Sequence, residues 1–87
     1  MRDRKEASTY AADRAWCARW LARGRPVWCV RSKERGIVVA YVANEIAEWT
    51  QFKGSPVDDY TVQQMVMRDG EAWFGPECGW PRPGGDR

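Results

Sequence analysis

Residues 60–74 read YTVQQMVMRDGEAWF. The pair Asp69-Gly70 divides this stretch into two runs rich in valine, methionine and aromatic residues, the types that favour a pleated, half-buried surface. Asp-Gly is also the preferred centre of a two-residue hairpin turn, which needs positive φ at both central positions. Pairing across the turn sets Arg68 opposite Glu71 and Val66 opposite Trp73, both favourable cross-strand neighbours. A helical reading fails, because Val57, Val62, Met65 and Val66 scatter around the wheel. The sequence therefore predicts a hairpin of 60–68 with 71–74. At most one helical turn precedes it, at Ser55-Pro56-Val57-Asp58, where Ser caps and Pro occupies the first helical position.

The segments before this hairpin fit the same sheet. Ile37 to Ala43 is apolar at every position and reads as a central strand covered on both faces. Val27 to Arg31 pairs with it across the charged loop Ser32-Lys33-Glu34-Arg35-Gly36. Asn44 to Lys53 reads either as a further strand, Ile46 to Phe52, or as a short helix capped by Asn44. Trp49, Thr50 and Phe52 favour the strand.

The alanine-rich stretch after Ser8 and Thr9, both N-cap types, reads as a helix ending at Arg23. Gly24 and Pro26 terminate it. On a wheel anchored at Tyr10, the residues Tyr10, Cys17 and Leu21 share one face with Trp20 at its edge. Trp16 falls well off that stripe, beside Arg19 and Arg23. The predicted fold is α+β, an N-terminal helix packed on an antiparallel sheet of four or five strands. Residues 1–8 form a flexible charged N-terminus, 9–75 a single small domain, and 76–87 a disordered Pro/Gly-rich tail. Within that tail Trp80 is read as a latch onto the domain or a partner-facing anchor.

Composition narrows the function. The 87 residues include six tryptophans and no histidine. Tryptophan grips partners and cores, whereas histidine is the commonest general acid/base and metal ligand. Cys29 and Cys78 have no histidine base to activate them as nucleophiles. Three cysteines without a CxxC pair give neither a disulfide framework nor a zinc site, and read as reduced thiols of a cytoplasmic protein. No apolar run is long enough to span a membrane, and no signal-peptide pattern follows the N-terminus. Neither a phosphate-binding loop nor a catalytic constellation is evident. The chain is therefore read as non-enzymatic and cofactor-free, with no metal.

Charge is unevenly distributed. Residues 1–35 hold ten Lys/Arg against four Asp/Glu, while residues 36–79 hold two against seven. Such asymmetry points to a charged partner, although a folded surface of mixed charge would account for it equally well. The candidate partner surface is the helix patch Trp16, Arg19, Trp20 and Arg23, extended by Arg31 and Arg35, because Trp and Arg dominate binding hot spots. The alternative is an acidic surface of Glu45, Glu48, Asp58, Asp59 and Glu71. A homodimer through Trp16 would imitate the same patch. The leading expectation is a small inhibitor or regulator that occupies a surface of a protein or nucleoprotein complex. Phage and mobile-element anti-defence proteins such as anti-CRISPRs form that class. The alternatives are a nucleic-acid-binding module that uses the Arg/Trp helix and a small phage structural or assembly subunit.

Overall fold

The computed structural model describes residues 4–43 and 59–80. Their elements are β1 (Arg4–Glu6), α1 (Tyr10–Ala22), β2 (Trp28–Ser32), β3 (Val38–Val42), β4 (Tyr60–Arg68) and β5 (Glu71–Cys78). The five strands form one sheet in the order β1-β3-β2-β4-β5, and every neighbouring pair is antiparallel. One helix against this sheet gives the α+β fold expected from the sequence.

The β4–β5 hairpin has the predicted register, with Arg68 facing Glu71 and Val66 facing Trp73. Asp69 and Gly70 adopt φ of 55° and 79°, the positive values that the tight turn requires. The helix begins at Thr9, whose hydroxyl accepts from the Ala12 N–H at 3.2 Å. It ends in a Schellman motif, in which Gly24 N–H donates to Leu21 O and Arg25 N–H to Trp20 O. In the β2–β3 turn the Ser32 hydroxyl accepts from the Arg35 N–H at 3.1 Å.

Two expectations at the chain ends are corrected. Arg4–Glu6 is not frayed but pairs with β3, Lys5 facing Tyr41. Its three charged residues look like a loose end because a short charged strand is a common way to blunt a sheet edge. At the other end β5 runs to Cys78 rather than stopping near residue 75. It absorbs Pro76 at a bulge, where the register with β4 shifts between Gln63 and Met65, and an edge strand tolerates proline there. The expected strand 46–52, the turn at 55–58 and residues 81–87 lie outside the described residues.

The sheet buries side chains on both faces. On the helix side Trp16, Cys17 and Trp20 pack over Val27, Cys29, Tyr41, Met65 and Ala72. The opposite cluster centres on Val30, Val42 and Val62, each fully buried, with Trp28, Tyr60, Cys78 and Trp80 packed around them. The Trp80 indole N–H donates to Tyr60 O at 3.2 Å, so Trp80 is a latch on the second face. In β3 and the residues flanking it, only Ala40 to Ala43 are buried, and Ile37 is 49% exposed. The expectation of a strand covered along its whole length thus holds for its C-terminal half. Among the described residues no helix is long and apolar enough to cross a membrane.

Candidate functional interface

The helix patch expected from the sequence does not exist as a surface. Trp16 is 5% exposed and Trp20 7%, with their rings 6.2 Å apart inside the helix-side core. The buried face of α1 is Asp13, Trp16, Cys17 and Trp20, spaced i, i+3, i+4, i+7 as a core-facing stripe should be. Tyr10, which anchored the expected stripe, is 63% exposed. Arg19 and Arg23 are not buried, but the indoles meant to accompany them point into the core.

Asp13 explains the rotation. Its carboxylate is buried yet well supplied with donors. It accepts from Lys5 Nζ at 2.9 Å, from the Ser8 hydroxyl at 3.0 Å and from the Ser8 backbone N–H at 3.1 Å. Burial by itself pushes the Asp13 carboxyl up, but the Lys5 and Ser8 bonds outweigh it, and the group is held below the ordinary carboxylate range. This clasp ties β1 to α1, and it lets an aspartate occupy a place in a core stripe. The Lys5 ammonium also donates to the Ser8 hydroxyl at 2.7 Å. Lys5 and Ser8 therefore both use their donors in closing the clasp.

The aromatic surface lies elsewhere, on the outermost strand. Of the five exposed large hydrophobic residues among those described, four gather on or beside the β4–β5 hairpin, namely Tyr10, Met67, Trp73 and Phe74. Trp73 and Phe74 are consecutive, so the alternation of a strand turns them to opposite faces. Each ring carries an arginine. Arg14 from the helix lies 3.9 Å from the Trp73 ring centroid and 4.9 Å from that of Tyr10. It also bonds the Tyr10 hydroxyl and forms an ion pair with Glu71 at 3.3 Å. Arg31 from β2 lies 5.5 Å from the Phe74 ring centroid. Its Nε and Nη2 both donate to Gln63 Oε1, at 3.3 and 3.0 Å, and Nη1 donates to Gly36 O at 3.1 Å. The Gln63 amide in turn donates to Gly75 O at 2.9 Å. Both guanidinium groups are thus held in place by contacts within the chain, and a planar group held in this way loses little further freedom in making another contact.

Beside this belt a groove of about 320 Å³ runs between α1 and the start of β5, lined by Tyr10, Ala11, Arg14, Ala15, Ala18, Gly70, Glu71 and Ala72. A second, more polar hollow of about 530 Å³ lies at the β2–β3 turn, between Ser32-Lys33-Glu34 and Asp59-Tyr60. There Lys33 N–H donates to Asp59 O at 3.0 Å.

Two residues singled out from the sequence, Arg31 and Glu71, belong to the aromatic belt. Arg35 and Asp59 are exposed but lie outside it. Glu45, Glu48 and Asp58 lie outside the described residues. Sequence reasoning missed Tyr10, Arg14, Trp73 and Phe74. One signal does exist, since two adjacent aromatics in a strand cannot both face one core.

Two of the three thiols, Cys17 and Cys29, are buried, and Cys78 is partly so. Burial pushes Cys17 up to about 12, with the nearby Cys29 adding to the effect, and burial raises Cys29 to about 11. Burial also raises the Tyr41 phenol, helped by the neighbouring Asp13 carboxylate. Among the described residues no cluster of three or more His, Cys, Asp or Glu side chains could hold a metal ion. No known protein family, curated protein or solved structure matches this chain.

Proposed function

We propose that this protein is a small, non-enzymatic binding protein that occupies a surface of a larger protein or nucleoprotein complex. It acts there as an inhibitor or regulator, the class to which phage and mobile-element anti-defence proteins belong. The observation that carries this reading is the gathering of exposed aromatics on β5, each with a fixed arginine above it. Trp, Tyr and Arg are the residues that dominate binding hot spots, and both rings keep a substantial part of their surface in solvent.

Charge favours a protein contact over a nucleic-acid backbone. The positive groups on the hairpin and its flank, Arg14, Arg31 and Arg68, are matched by Asp69, Glu71 and Glu77. A surface so balanced gains little from counterion release, the effect that drives phosphate binding. All three cysteines are free thiols, which supports work in a reducing compartment such as the cytoplasm.

The test is a pull-down from the source cell with the wild-type chain and Trp73→Ala, with and without nuclease. The reading expects a defined protein partner that survives nuclease and is lost with Trp73→Ala. Capture that vanishes with nuclease would favour a nucleic-acid module, and capture indifferent to Trp73→Ala would remove β5 as the interface.

A further inference from the structure

We infer that Arg31 is the receptor for a carboxylate of the partner, an aspartate or glutamate side chain whose apolar neighbour covers the Phe74 ring. The inference rests on the reading of the β5 aromatics as the binding surface, and it names the chemistry that one half of that surface takes.

The two aromatic–arginine pairs of β5 differ in one respect. Arg14 stacks on Trp73 and also pairs with the Glu71 carboxylate at 3.3 Å. Arg31 lies 5.5 Å from the Phe74 ring centroid, but among the described residues no carboxylate pairs with it. Its acceptors are the Gln63 side-chain oxygen and the Gly36 carbonyl oxygen. Both are neutral, so they orient the guanidinium without cancelling its charge, and arginine cannot shed that charge by losing a proton. Glu77 faces Gln63 across the β4–β5 ladder, yet it forms no ion pair with Arg31.

The guanidinium has donors to spare. Nε, Nη1 and Nη2 each commit an N–H, which leaves one more on each terminal nitrogen. A donor on each of two nitrogens suits the two oxygens of a carboxylate. The bond from Nη1 to Gly36 O lies at the surface, and the Phe74 ring beside it is 41% exposed. A partner can therefore meet the charge and the ring together. An apolar side chain laid on Phe74 would also exclude water from the ion pair, which strengthens it.

The surroundings favour a protein acid over a phosphate backbone. The β2–β3 turn and the sheet register set Arg31, Lys33 and Arg35 near Glu34, Asp59 and Glu77. A run of phosphates needs a net positive surface to displace its counterions, and these charges cancel. A single carboxylate needs only the guanidinium that it touches.

The experiment uses the full chain and a display library of random peptides. The enriched peptides should carry Asp or Glu next to a large apolar residue. In one of them, replacing the acid by its amide should weaken binding about tenfold or more, and so should Arg31→Gln in the protein. The two changes together should weaken it no further than either alone. The amide peptide reads the same contact if Arg31→Gln does not fold. Failure to enrich any peptide, enrichment without acids, or losses that simply multiply would each overturn the inference. Salt-sensitive binding of single-stranded DNA that is lost with Arg31→Gln would give the site to phosphate and overturn it too. Coupling in urea unfolding between Arg31→Gln and Glu77→Gln, Glu45→Gln, Glu48→Gln, Asp58→Asn or Asp86→Asn would assign the acid to this chain, with the same consequence. If Trp73→Ala abolishes capture of the cellular partner and Arg31→Gln does not, the surface reading stands and this inference falls.

Discussion

The Arg14 guanidinium carbon lies 3.9 Å from the centroid of the Trp73 ring, so a cation–π contact joins α1 to the outermost strand. The same arginine pairs with Glu71, but that carboxylate is 63% exposed, and exposed pairs contribute little. The stacking is therefore the larger part of the link. A double-mutant cycle with Arg14→Ala and Trp73→Ala, read by urea unfolding, should give a coupling of about 0.5–1 kcal/mol. A coupling of zero would mean that Arg14 is held by Glu71 and Tyr10 alone.

Trp16→Ala should behave as a core truncation. The indole is buried against Cys17, Trp20 and the sheet, and removing such a side chain costs about 3–5 kcal/mol. In a domain of this size that loss approaches the whole stability. Trp73→Ala should cost far less, because its ring already meets water. Melting curves that rank the two in the opposite order would restore the helix patch and remove the β5 belt.

The β4–β5 hairpin and the β2–β3 pair were legible in the sequence, whereas the edge strand β1 and the helix rotation were not. Asp69-Gly70 specifies a turn through local backbone chemistry, and the hairpin register follows from it without any long-range information. The orientation of α1 depends on a contact that no local pattern carries. Asp13 stands in the buried stripe only because Lys5 and Ser8, brought in by β1 and the residues after it, neutralise and bond it. Read as a polar position, Asp13 pushes the wheel toward Tyr10, and that rotation turns Trp16 outward. The belt was illegible for a related reason. Arg14 to Trp73 and Arg31 to Phe74 are tertiary pairs, and only the edge position of β5 leaves both rings exposed.

The Asp13 clasp should make stability acid-sensitive. Its folded pKa lies below that of the unfolded chain, so the folded state favours the carboxylate. The contribution is complete above the ordinary aspartate range, near pKa ~3.9, and is lost as pH falls through the lowered folded value. Asp13→Asn should cost about 1.5–3 kcal/mol at neutral pH, the usual worth of hydrogen bonds to a charged group. It should also flatten the decline in stability below about pH 4. Denaturant midpoints measured across the acid range up to neutral pH for both chains give the comparison. Parallel curves would show that Asp13 is not the source of the acid sensitivity.

Alkylation should distinguish the three thiols. The thiolate is the reactive form. Burial places Cys17 at about 12 and Cys29 at about 11; it raises Cys78 as well, but Cys78 is only partly buried and so can be reached from solvent. Native protein treated with iodoacetamide in mildly alkaline buffer should gain one adduct, at Cys78, and the other two only after unfolding. Early labelling of Cys17, read by peptide mass spectrometry, would show that α1 lifts from the sheet under native conditions.

Two glycines of the hairpin should fail for different reasons. Gly70 has open space where a Cβ would stand, but its φ is 79°. Asparagine tolerates that region better than a β-branched residue. Gly70→Val should therefore cost about 1–3 kcal/mol, and Gly70→Asn distinctly less. Gly75 has no positive φ, yet a Cβ there would come within 2.4 Å of the Gln64 carbonyl oxygen and 3.1 Å of Val66 Cγ1. The first contact is with backbone, which cannot rotate aside, so the bulge itself must shift. Gly75→Ala should cost about 1–3 kcal/mol, as overpacking does, and Gly75→Asn at least as much. Urea unfolding of the four variants then tests strain against crowding. If asparagine is tolerated at residue 75, β5 does not press against β4 there.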